Sequence, residues 1–410
     1  DTIQSRGLGD VYKRQMYKVR TYNAISSKGL DRLSRDCFEV SSDINAPNAL
    51  LLRSYKLSDA DIGDSVSAIA RAGAGVNNIP IEHCTERGIV VFNTPGANAN
   101  AVKELVAAGM LLASRDIVGG MRFISELDPS LSAEDMGPAL EASKKQFAGS
   151  ELQGKTLGVL GLGAIGSLIA RLGLDLGMEV VGYDPAISVE AAWRLPSSVK
   201  KMDNMQSLFA RSDYVSLHIP VLDSTRGLIN ADTLSYFKKN ACLLNFARDQ
   251  IVNTDAVVAA LDQGQLRTYV TDFPHPALRN RSDTILMPHI GASTAEAEEN
   301  CAVMAADQIK AFLDHGNIKN SVNFPAIELE RTTESRLTVT NRNAPGTLSH
   351  ILNVLGDANL NVADLLNKSR GDIAYNLIDL NSAPTPDVLD KVSAVDGVIN
   401  VRYLGKPCSI

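Results

Sequence analysis

Closely spaced cysteines, long apolar runs and an excess of positive charge are all missing from this sequence of 410 residues. The five cysteines lie far apart, with no Cys-x-x-Cys pair and no Cys/His cluster, so we predict reduced thiols and no structural metal. No apolar run approaches the length that spans a bilayer. The net charge of −7 provides no overall positive field for nucleic acid or an anionic membrane. We therefore expect a cytoplasmic protein, in which local basic groups are still able to bind a small anion.

The first fifteen residues, DTIQSRGLGDVYKRQ, are polar and show no helix or strand pattern. They also lack the apolar core of a signal peptide. We interpret residues 1–15 either as a non-native extension ahead of a natural start at Met16 or as an ordinary disordered tail.

Short apolar runs alternate with helical stretches from Met16 to about residue 114, and the same rhythm recurs over residues 115–285. Strands that alternate with helices predict a parallel sheet. A further helix, with Ser293 or Thr294 at its start and Gly316 at its end, then runs back toward the first unit. The predicted fold class is therefore α/β, with two doubly wound domains. The first covers residues 16–114 and 286–325, and the second is inserted over residues 115–285.

The order of elements changes after a linker-like stretch, NSVNFPAIELERTTES. From about Arg336 the chain reads strand, helix, strand, strand, helix, strand, which is the ferredoxin-like βαββαβ pattern. We predict a small third domain over residues 334–405.

A glycine-rich motif, Gly161-Leu-Gly163-Ala-Ile-Gly166, lies between the strand TLGVL and a helix. In a dinucleotide-binding turn the first glycine permits the tight turn, the second lets the pyrophosphate approach, and the third lets helix and strand pack closely. The next strand ends at Asp184, which suits the ribose hydroxyls and repels a 2′-phosphate. The pattern predicts NAD(H) rather than NADP(H) as the cofactor, although packing glycines alone would give the same spacing.

Four further motifs, RAGAGVNNI (71–79), LHIP (217–220), LLNFAR (243–248) and MPHIGAST (287–294), occur in this order. Together they resemble the D-isomer-specific 2-hydroxyacid dehydrogenase family over roughly residues 50–324. The stretch RLTVTNRNAPGTLSHILNVLGDANLNV resembles an ACT regulatory domain. Members that combine both parts oxidise 3-phospho-D-glycerate to 3-phosphohydroxypyruvate with NAD+, the first step of L-serine biosynthesis. The resemblance implies this activity, and a homodimer or homotetramer formed through the helix ELVAAGMLLAS.

The resemblance assigns His289 as the general base and Arg248 as the group that binds the substrate carboxylate and polarises the carbonyl. The alternatives are a structural histidine in a turn and a surface ion pair. Asp272 matches a family Asp that faces the nicotinamide amide. The implied cofactor-binding residues are Gly161, Gly163, Ala164, Ile165, Gly166, Asp184, His218, Pro220, Thr225, Phe246, Ala247, Asp272 and Gly291.

A phosphorylated substrate requires cations at its far end. By resemblance we assign substrate binding to Arg53, Ser54, Arg71, Gly75, Val76 and Asn98. Gly75 and Val76 would offer backbone amides to the carboxylate. The alternatives are solvated surface charge for the cations, including nearby Lys56, and a helix N-cap for Asn98.

One departure from the family pattern concerns the partner of the catalytic histidine. The family carries a Glu shortly after the Asp, in a DVFxxEP-like segment, and that Glu pairs with the histidine. Here the segment reads TDFPHPALRN, with His275 and Pro276 in that region. Either Asp272 becomes the partner of His289, or His289 works without a carboxylate.

Three asparagines of the ACT-like segment match positions of serine-inhibited relatives. Asn343 and Asn361 match serine-binding positions, and Asn341 stands where those relatives often carry His. The resemblance implies L-serine as an effector, whereas ordinary turn chemistry explains asparagine equally well. Two other activities remain open: a glyoxylate or hydroxypyruvate reductase, and an NAD(H)-sensing corepressor-like protein without turnover.

Overall fold

The computed structural model describes residues 16–408, apart from the side chain of Glu190, so the predictions for residues 1–15 lie outside the described residues. The chain forms two compact units. One consists of the chain up to Asn98 together with the chain from Glu298 onward, and the other is Ala99–Ala297. The helix after residue 98, which we assigned to the first domain, thus belongs to the second unit, and the C-terminal domain shares a unit with the first domain.

Five parallel strands form the first sheet. They are β1 (Tyr17–Thr21), β2 (Phe38–Ser41), β3 (Ala49–Leu52), β4 (Ala68–Arg71) and β5 (Val90–Phe92), with the short helices α1 (Ser27–Leu30) and α2 (Ile81–Glu86) and a 3₁₀ turn at Asp59–Asp61. The strand order is β2-β1-β3-β4-β5, which is the doubly wound order with its switch point between β1 and β3. Every residue of β3 and β5 is buried, because parallel strands are covered on both faces.

The second unit contains seven parallel strands and eight helices within Ala99–Ala297. The strands are β6 (Thr156–Leu160), β7 (Glu179–Tyr183), β8 (Lys200–Lys201), β9 (Tyr214–Leu217), β10 (Ala241–Asn245), β11 (Leu266–Thr271) and β12 (Thr284–Leu286). The helices are α3 (Ala99–Ser114), α4 (Ile117–Ser125), α5 (Ala133–Ser143), α6 (Ala164–Asp175), α7 (Val189–Arg194), α8 (Met205–Arg211), α9 (Ala231–Leu234) and α10 (Thr254–Asp262), with 3₁₀ turns at Lys144–Phe147, Asp249–Ile251 and Pro276–Leu278.

The strand order of this sheet is β12-β11-β10-β9-β6-β7-β8, so the order reverses between β6 and β9. Ligands of open α/β sheets bind at this switch point, outside the carboxyl ends of the strands. Helix α3 packs on this sheet, because Val102, Val106 and Met110 share a core with β6. A Cβ on Gly109 would lie 3.0 Å from Val270, which shows how closely the helix approaches the sheet and why it belongs to this unit.

Helix α11 (Ala295–His315) leads back to the first sheet. Its residues Ala305, Ile309 and Phe312 are buried in the core of that sheet. Four antiparallel strands and two helices follow: β13 (Ser335–Arg342), α12 (Thr347–Asp357), β14 (Val362–Arg370), β15 (Ile373–Leu380), α13 (Pro386–Ser393) and β16 (Val398–Leu404). Their order in the sheet, β14-β15-β13-β16, is that of the predicted ferredoxin-like fold.

Both faces of the C-terminal sheet are covered. Ile378 and Leu380 of β15 pack with the helices α12 and α13. Ile373, Tyr375 and Leu377 of the same strand enter the core of the first sheet. Alternate residues of a strand point to opposite faces, so one strand contributes to two cores. The C-terminal domain therefore shares its core with the first domain.

Our prediction of reduced cysteines is wrong for two of the five. Cys37 and Cys408 form a disulfide, with Cα atoms 5.9 Å apart and a sequence separation of 371. Cys84, Cys242 and Cys301 are free and buried. No local spacing indicates a pair so distant in sequence, because only the packing of the C-terminal domain brings its two members together.

Within residues 16–408, no helix combines the length and apolar character that crossing a membrane requires. The same residues contain no group of three His, Cys, Asp or Glu side chains arranged to hold a metal ion.

Candidate active site

The three motif glycines occupy the positions that a dinucleotide turn requires. Gly161 has φ +88°, and a Cβ there would lie 2.5 Å from the carbonyl oxygen of His218. A Cβ on Gly166 would lie 1.9 Å from the carbonyl oxygen of Gly161. Gly163 is the N-cap of α6, and a Cβ there would meet nothing within 4 Å. The first and third glycines are thus required by the chain itself, whereas the second leaves open space for a ligand at a helix N-terminus.

Asp184 follows β7, and its carboxylate is fixed by the backbone. One oxygen accepts the Leu162 N–H at 2.8 Å, and the other accepts the Ala186 N–H at 2.9 Å. A carboxylate oxygen has two acceptor sites, so both oxygens retain capacity for ribose hydroxyls. Asp184 therefore orients the glycine-rich loop as well as supplying the acid that the motif predicts.

His218 follows β9 on the other side of the switch point. Its Nε2 lies 2.7 Å from the Ser216 hydroxyl, and its buried Nδ1 has no hydrogen-bond partner among residues 16–408. Burial lowers the pKa of His218 to about 3, so the ring is neutral at working pH. In the same segment the Thr225 hydroxyl donates to the Pro220 carbonyl at 2.6 Å and closes the loop. The open space at Gly163 and the unpartnered Nδ1 of His218 both fit a bound dinucleotide.

His289 lies on the exposed loop after β12, with φ +57°. Asp272, at the end of β11, is only 2% exposed and holds this loop: its oxygens accept the Ile290 N–H at 2.8 Å and the Gly291 N–H at 2.7 Å. The ring of Phe273 lies 4.9 Å from the His289 ring, centroid to centroid. A left-handed conformation is costly for a residue other than glycine, so the two bonds to Asp272 are what maintain it.

Arg248 is exposed on the loop after β10. Its Nη1 donates to the Ala247 carbonyl at 2.6 Å, and the Asn245 side chain fixes this turn by binding Ala247 N–H and the Arg248 carbonyl. Strands β10 and β12 flank β11, so Arg248 and His289 leave one edge of the sheet about 10 Å apart in strand spacing. Phe246 lies in the core instead, so that only its backbone is available to a cofactor. Ala164 and Ile165, which we predicted to bind the cofactor, form the start of α6.

The predicted substrate residues of the first unit lie at the carboxyl ends of β3 and β4. Arg53 and Ser54 follow β3, and Arg71 ends β4 ahead of Gly75 and Val76. Arg53 forms an ion pair with Glu298 of α11, with both side chains about two-fifths exposed. Arg71 donates from Nε to the Arg53 carbonyl at 2.9 Å and from Nη1 to the Gly75 carbonyl. Arg71 therefore ties the two loops together, and Asn98 stands directly before α3.

Known proteins resemble this chain both in sequence and in structure. Residues 116–291 match the family model described as D-isomer specific 2-hydroxyacid dehydrogenase, NAD binding domain. The chain is 34% identical over 343 residues to the D-3-phosphoglycerate dehydrogenase of Haemophilus influenzae, which covers 80% of this chain and 79% of that protein. The chain belongs to the D-isomer-specific 2-hydroxyacid dehydrogenase family.

Two further relatives extend the comparison. The chain is 35% identical over 303 residues to the D-3-phosphoglycerate dehydrogenase of Methanocaldococcus jannaschii, over 72% of this chain but only 55% of that longer protein. It is similar in structure to the NAD+-bound 3-phosphoglycerate dehydrogenase of Entamoeba histolytica, with a TM-score of 0.58 and 25% identity, over 76% of this chain and 100% of that chain. The predicted fold class and NAD as cofactor are confirmed, and the chain is an NAD-dependent dehydrogenase.

The Glu that the family resemblance places beside His289 is absent from this dehydrogenase, and no described residue takes its place as a carboxylate partner. Within residues 16–408, the imidazole of His289 has no hydrogen bond or ion pair to a carboxylate, and both oxygens of Asp272 are occupied by backbone amides. Nδ1 of His275 accepts the Ala277 N–H at 3.3 Å and caps a 3₁₀ turn. Of the two alternatives left open by the sequence, the structure favours a His289 without a carboxylate partner.

The three asparagines of the C-terminal domain do not lie together in one chain. Asn341 is 3% exposed, and its amide is used within the sheet, by the Asn376 side chain and the Arg342 carbonyl. Asn343 is exposed at the end of β13, where its N–H donates to the Asp372 carbonyl. Asn361 precedes β14 at the opposite end of the sheet, about 24 Å away by strand rise. Asn343 and Asn361 of one chain are therefore too far apart to contact the same small ligand.

Two residues that contact the loop after β3 were not identified from the sequence. Glu298 pairs with Arg53, and its only signal is the acidic run EAEE at the start of α11. Asn23, with φ +65°, accepts N–H bonds from Ser54 and Tyr55 at 3.1 and 2.7 Å and shapes the loop after β3. Asparagine tolerates this left-handed conformation, but nothing in the sequence alone connects residue 23 with residue 54.

Proposed function

We propose that this dehydrogenase oxidises 3-phospho-D-glycerate to 3-phosphohydroxypyruvate with NAD+, the first step of L-serine biosynthesis. The observation that supports this substrate is a pair of arginines, Arg53 and Arg71, at the carboxyl ends of adjacent parallel strands. Relatives that are named for this activity resemble the chain over most of its length.

In this proposal the first domain binds the two ends of the substrate. Arg53 exchanges the Glu298 carboxylate for the substrate phosphate, since a doubly charged phosphate attracts a guanidinium more strongly than one exposed carboxylate does. Ser54 adds a hydroxyl beside it. The amides of Gly75 and Val76, in the loop that Arg71 ties down, bind the substrate carboxylate.

The second unit performs the chemistry. His289 accepts the proton of the substrate hydroxyl at its imidazole. Arg248 binds the carboxylate and stabilises the carbonyl oxygen as it forms. Asp272 keeps the His289 loop in place through its two backbone bonds. When bound, NAD+ would accept the hydride from the substrate carbon that carries the hydroxyl, and the glycine-rich loop would hold the cofactor with Asp184 at the ribose.

The test is steady-state turnover with 3-phospho-D-glycerate, D-glycerate and glycolate, each with NAD+ and with NADP+. We expect kcat/KM to be highest for the phosphorylated substrate with NAD+. Arg53→Ala should lower kcat/KM for 3-phospho-D-glycerate and leave D-glycerate almost unaffected. Equal losses for both substrates contradict the role of Arg53.

A reductase of glyoxylate or hydroxypyruvate is the second candidate. The Arg53–Glu298 ion pair favours it, because this arginine already has an anionic partner. Faster NADH oxidation with glyoxylate or hydroxypyruvate than with 3-phosphohydroxypyruvate would replace our proposal by this one.

For the C-terminal domain we retain the interpretation of an ACT domain that binds L-serine between two copies of the chain. The exposure of Asn343 and the separation of Asn343 from Asn361 support a shared site in a homodimer or homotetramer. Asn341 has no role at the ligand in this proposal, because its amide is already bonded. The cytoplasmic location stays a prediction from the sequence.

The serine site is tested on the intact enzyme. Millimolar L-serine should bind and change the rate, and Asn343→Ala and Asn361→Ala should each remove that response. Asn341→Ala is unsuitable as a binding-site variant, because it would disturb the buried amide chain of the sheet. A serine response that survives both substitutions contradicts this site.

A further inference from the structure

A polar cleft of about 300 Å³ lies within the first unit, between the first sheet and the C-terminal sheet. One wall is formed by Tyr17 of β1 and the loop at residues 64–67. The other is formed by β16, including Asn400 and Arg402, with Leu313 of α11 between them. None of these residues belongs to the proposed catalytic or serine sites. The cleft therefore lies where the C-terminal domain packs against the first domain.

Arg402 is a cation without an anionic partner. Its guanidinium carbon lies 4.2 Å from the centre of the Phe312 ring. Nη2 makes only long bonds to the carbonyls of Phe312 and Leu313, at 3.4 and 3.3 Å, and buried Nη1 has no partner within residues 16–408. Burial lowers the pKa of Arg402, since a cation is disfavoured where water is excluded. A buried charge is costly unless a counter-charge accompanies it.

A second buried arginine of the same sheet shows what Arg402 lacks. Arg336 binds Asp379 through Nε at 2.5 Å and Nη2 at 2.9 Å, and Nη1 donates to two carbonyls at 2.9 Å. Both members of that pair are fully buried. No carboxylate within residues 16–408 forms such an ion pair with Arg402. Arg336 thus has a buried carboxylate as its counter-ion, whereas Arg402 has none, so an anion from solution could fill that role.

The cleft walls suit an anion in other respects. Tyr17 lines the same cleft, and burial raises the pKa of its hydroxyl, which therefore stays protonated and can donate a hydrogen bond. Asn400 offers an amide from β16. The one carboxylate on the walls, Asp64, is fully exposed and lies 3.1 Å from Arg87. Its charge is thus matched by Arg87 and lies in solvent. The buried Asp314 of α11 also acts on Tyr17, and its own oxygens accept the Cys408 N–H at 2.7 Å and lie 3.7 Å from Nε2 of His315.

We propose that this cleft binds a small oxyanion, a carboxylate or a phosphate, which provides the counter-charge that Arg402 lacks. Such a ligand contacts both β1 and β16 and therefore binds most tightly when the C-terminal sheet is packed on the first sheet. By linkage, binding stabilises that packed arrangement. The cleft is then an effector site distinct from Asn343 and Asn361.

The experiment measures anion binding to the full-length protein without turnover, so its outcome does not depend on the proposed activity. Inorganic phosphate, acetate and L-serine are titrated at constant ionic strength, with calorimetry and the thermal unfolding midpoint as readouts. The measurements are repeated with the Arg53→Ala variant, which lacks the cation proposed to bind phosphate in the catalytic site. Anion binding that remains in this variant is then assigned to another site. We expect phosphate or acetate to bind Arg53→Ala and raise its unfolding midpoint.

Two variants then examine the cleft itself. Asn400→Asp places a carboxylate beside Arg402, and we expect it to weaken anion binding at least tenfold while the protein stays folded. Arg402→Lys keeps the charge but removes the planar fork, and should weaken binding as well. If L-serine binding is lost in Asn400→Asp and kept in Asn343→Ala, the carboxylate ligand is an amino acid. No binding of any probe to Arg53→Ala, or unchanged affinity in a folded Asn400→Asp protein, overturns the proposal.

Discussion

The nucleotide-binding edge of the second unit and the C-terminal sheet use polar side chains in opposite ways. At the nucleotide edge, Asp184 and Asp272 bind backbone N–H groups of neighbouring loops, and Gly163 leaves space in front of a helix N-terminus. In the C-terminal sheet, Asn341 and Arg336 are consumed by contacts inside the protein. In the first region, polar side chains hold the loops that face a ligand. In the second region, polar side chains bind other groups of the protein, both within the C-terminal sheet and at the end of α11.

Attachment of the C-terminal sheet concentrates on the end of α11. Arg331 donates to the Asp314 carbonyl, Arg336 to the His315 carbonyl and Arg402 to the carbonyls of Phe312 and Leu313. The last carbonyls of a helix have no partners within it and carry partial negative charge. Three arginines from the C-terminal segment therefore donate hydrogen bonds to the last carbonyls of α11, a helix of the first domain. We therefore expect substitutions of ligand-facing groups at the nucleotide edge to affect cofactor binding or chemistry, and substitutions of buried polar groups in the C-terminal sheet to affect stability.

The largest expected effect is at His289. His289→Ala should lower kcat by about 10²–10⁴-fold, the usual contribution of a general base, and should leave NAD+ binding nearly unchanged. Turnover and NADH binding by fluorescence measure the two effects separately. The control is His275→Ala, because His275 caps a turn and stands where the family carries its Glu. If His275→Ala loses as much turnover as His289→Ala, His275 has taken over a catalytic role.

The strand, turn and helix around the glycine-rich motif were predictable from the sequence, because the glycines act through local backbone geometry. The tight turn at Gly161 and the close packing at Gly166 involve neighbours in the same strand-turn-helix unit. The partners of Arg53, Asn341 and Cys37 were not predictable in the same way. Their partners Glu298, Asn376 and, for Cys37, Cys408 are remote in sequence, and no spacing rule connects them. Residue types identify candidate ligands, but long-range packing decides which of them stay available.

A large loss of stability is expected when the buried ion pair of the C-terminal sheet is broken. Asp379→Asn leaves Arg336 uncompensated and should lower the free energy of unfolding by about 3–5 kcal/mol. Urea denaturation measures this change. The control is Asp387→Asn, which removes an exposed pair with Lys391 and should change little. Similar losses in both variants contradict a special role for the buried pair.

The same pair predicts a dependence of stability on pH. Burial alone would raise the pKa of Asp379, but the hydrogen bonds from Arg336 and Thr332 lower it below its ordinary value of 3.8. A carboxyl group with a lowered folded-state pKa stabilises the protein above its unfolded-state pKa. That stabilisation is lost as the pH falls through 3.8 toward the folded-state value. Asp379→Asn should therefore flatten the acid limb of the stability profile.

The disulfide provides a somewhat smaller test of the same attachment. Reduction of the Cys37–Cys408 bond should lower the free energy of unfolding by about 2–4 kcal/mol, because the oxidised chain is restricted when unfolded. Cys408→Ser should match the reduced wild type and show no response to dithiothreitol. Titration of thiols in denatured, unreduced protein should find three, the number of free cysteines. Five titrated thiols would show that the bond does not form.

The smallest expected effect on stability separates two glycines of one motif. A Cβ on Gly166 would lie 1.9 Å from the Gly161 carbonyl oxygen, so Gly166→Ala should cost about 1–3 kcal/mol of stability as the loop shifts. A Cβ on Gly163 meets nothing within 4 Å, so Gly163→Ala should fold normally. It should nevertheless weaken NAD+ binding, because the added methyl group occupies the space in front of α6 that the pyrophosphate approaches. Thermal unfolding without ligand and NADH titration distinguish these effects. If Gly163→Ala binds NADH as tightly as the wild type, the open space at Gly163 has no role in cofactor binding.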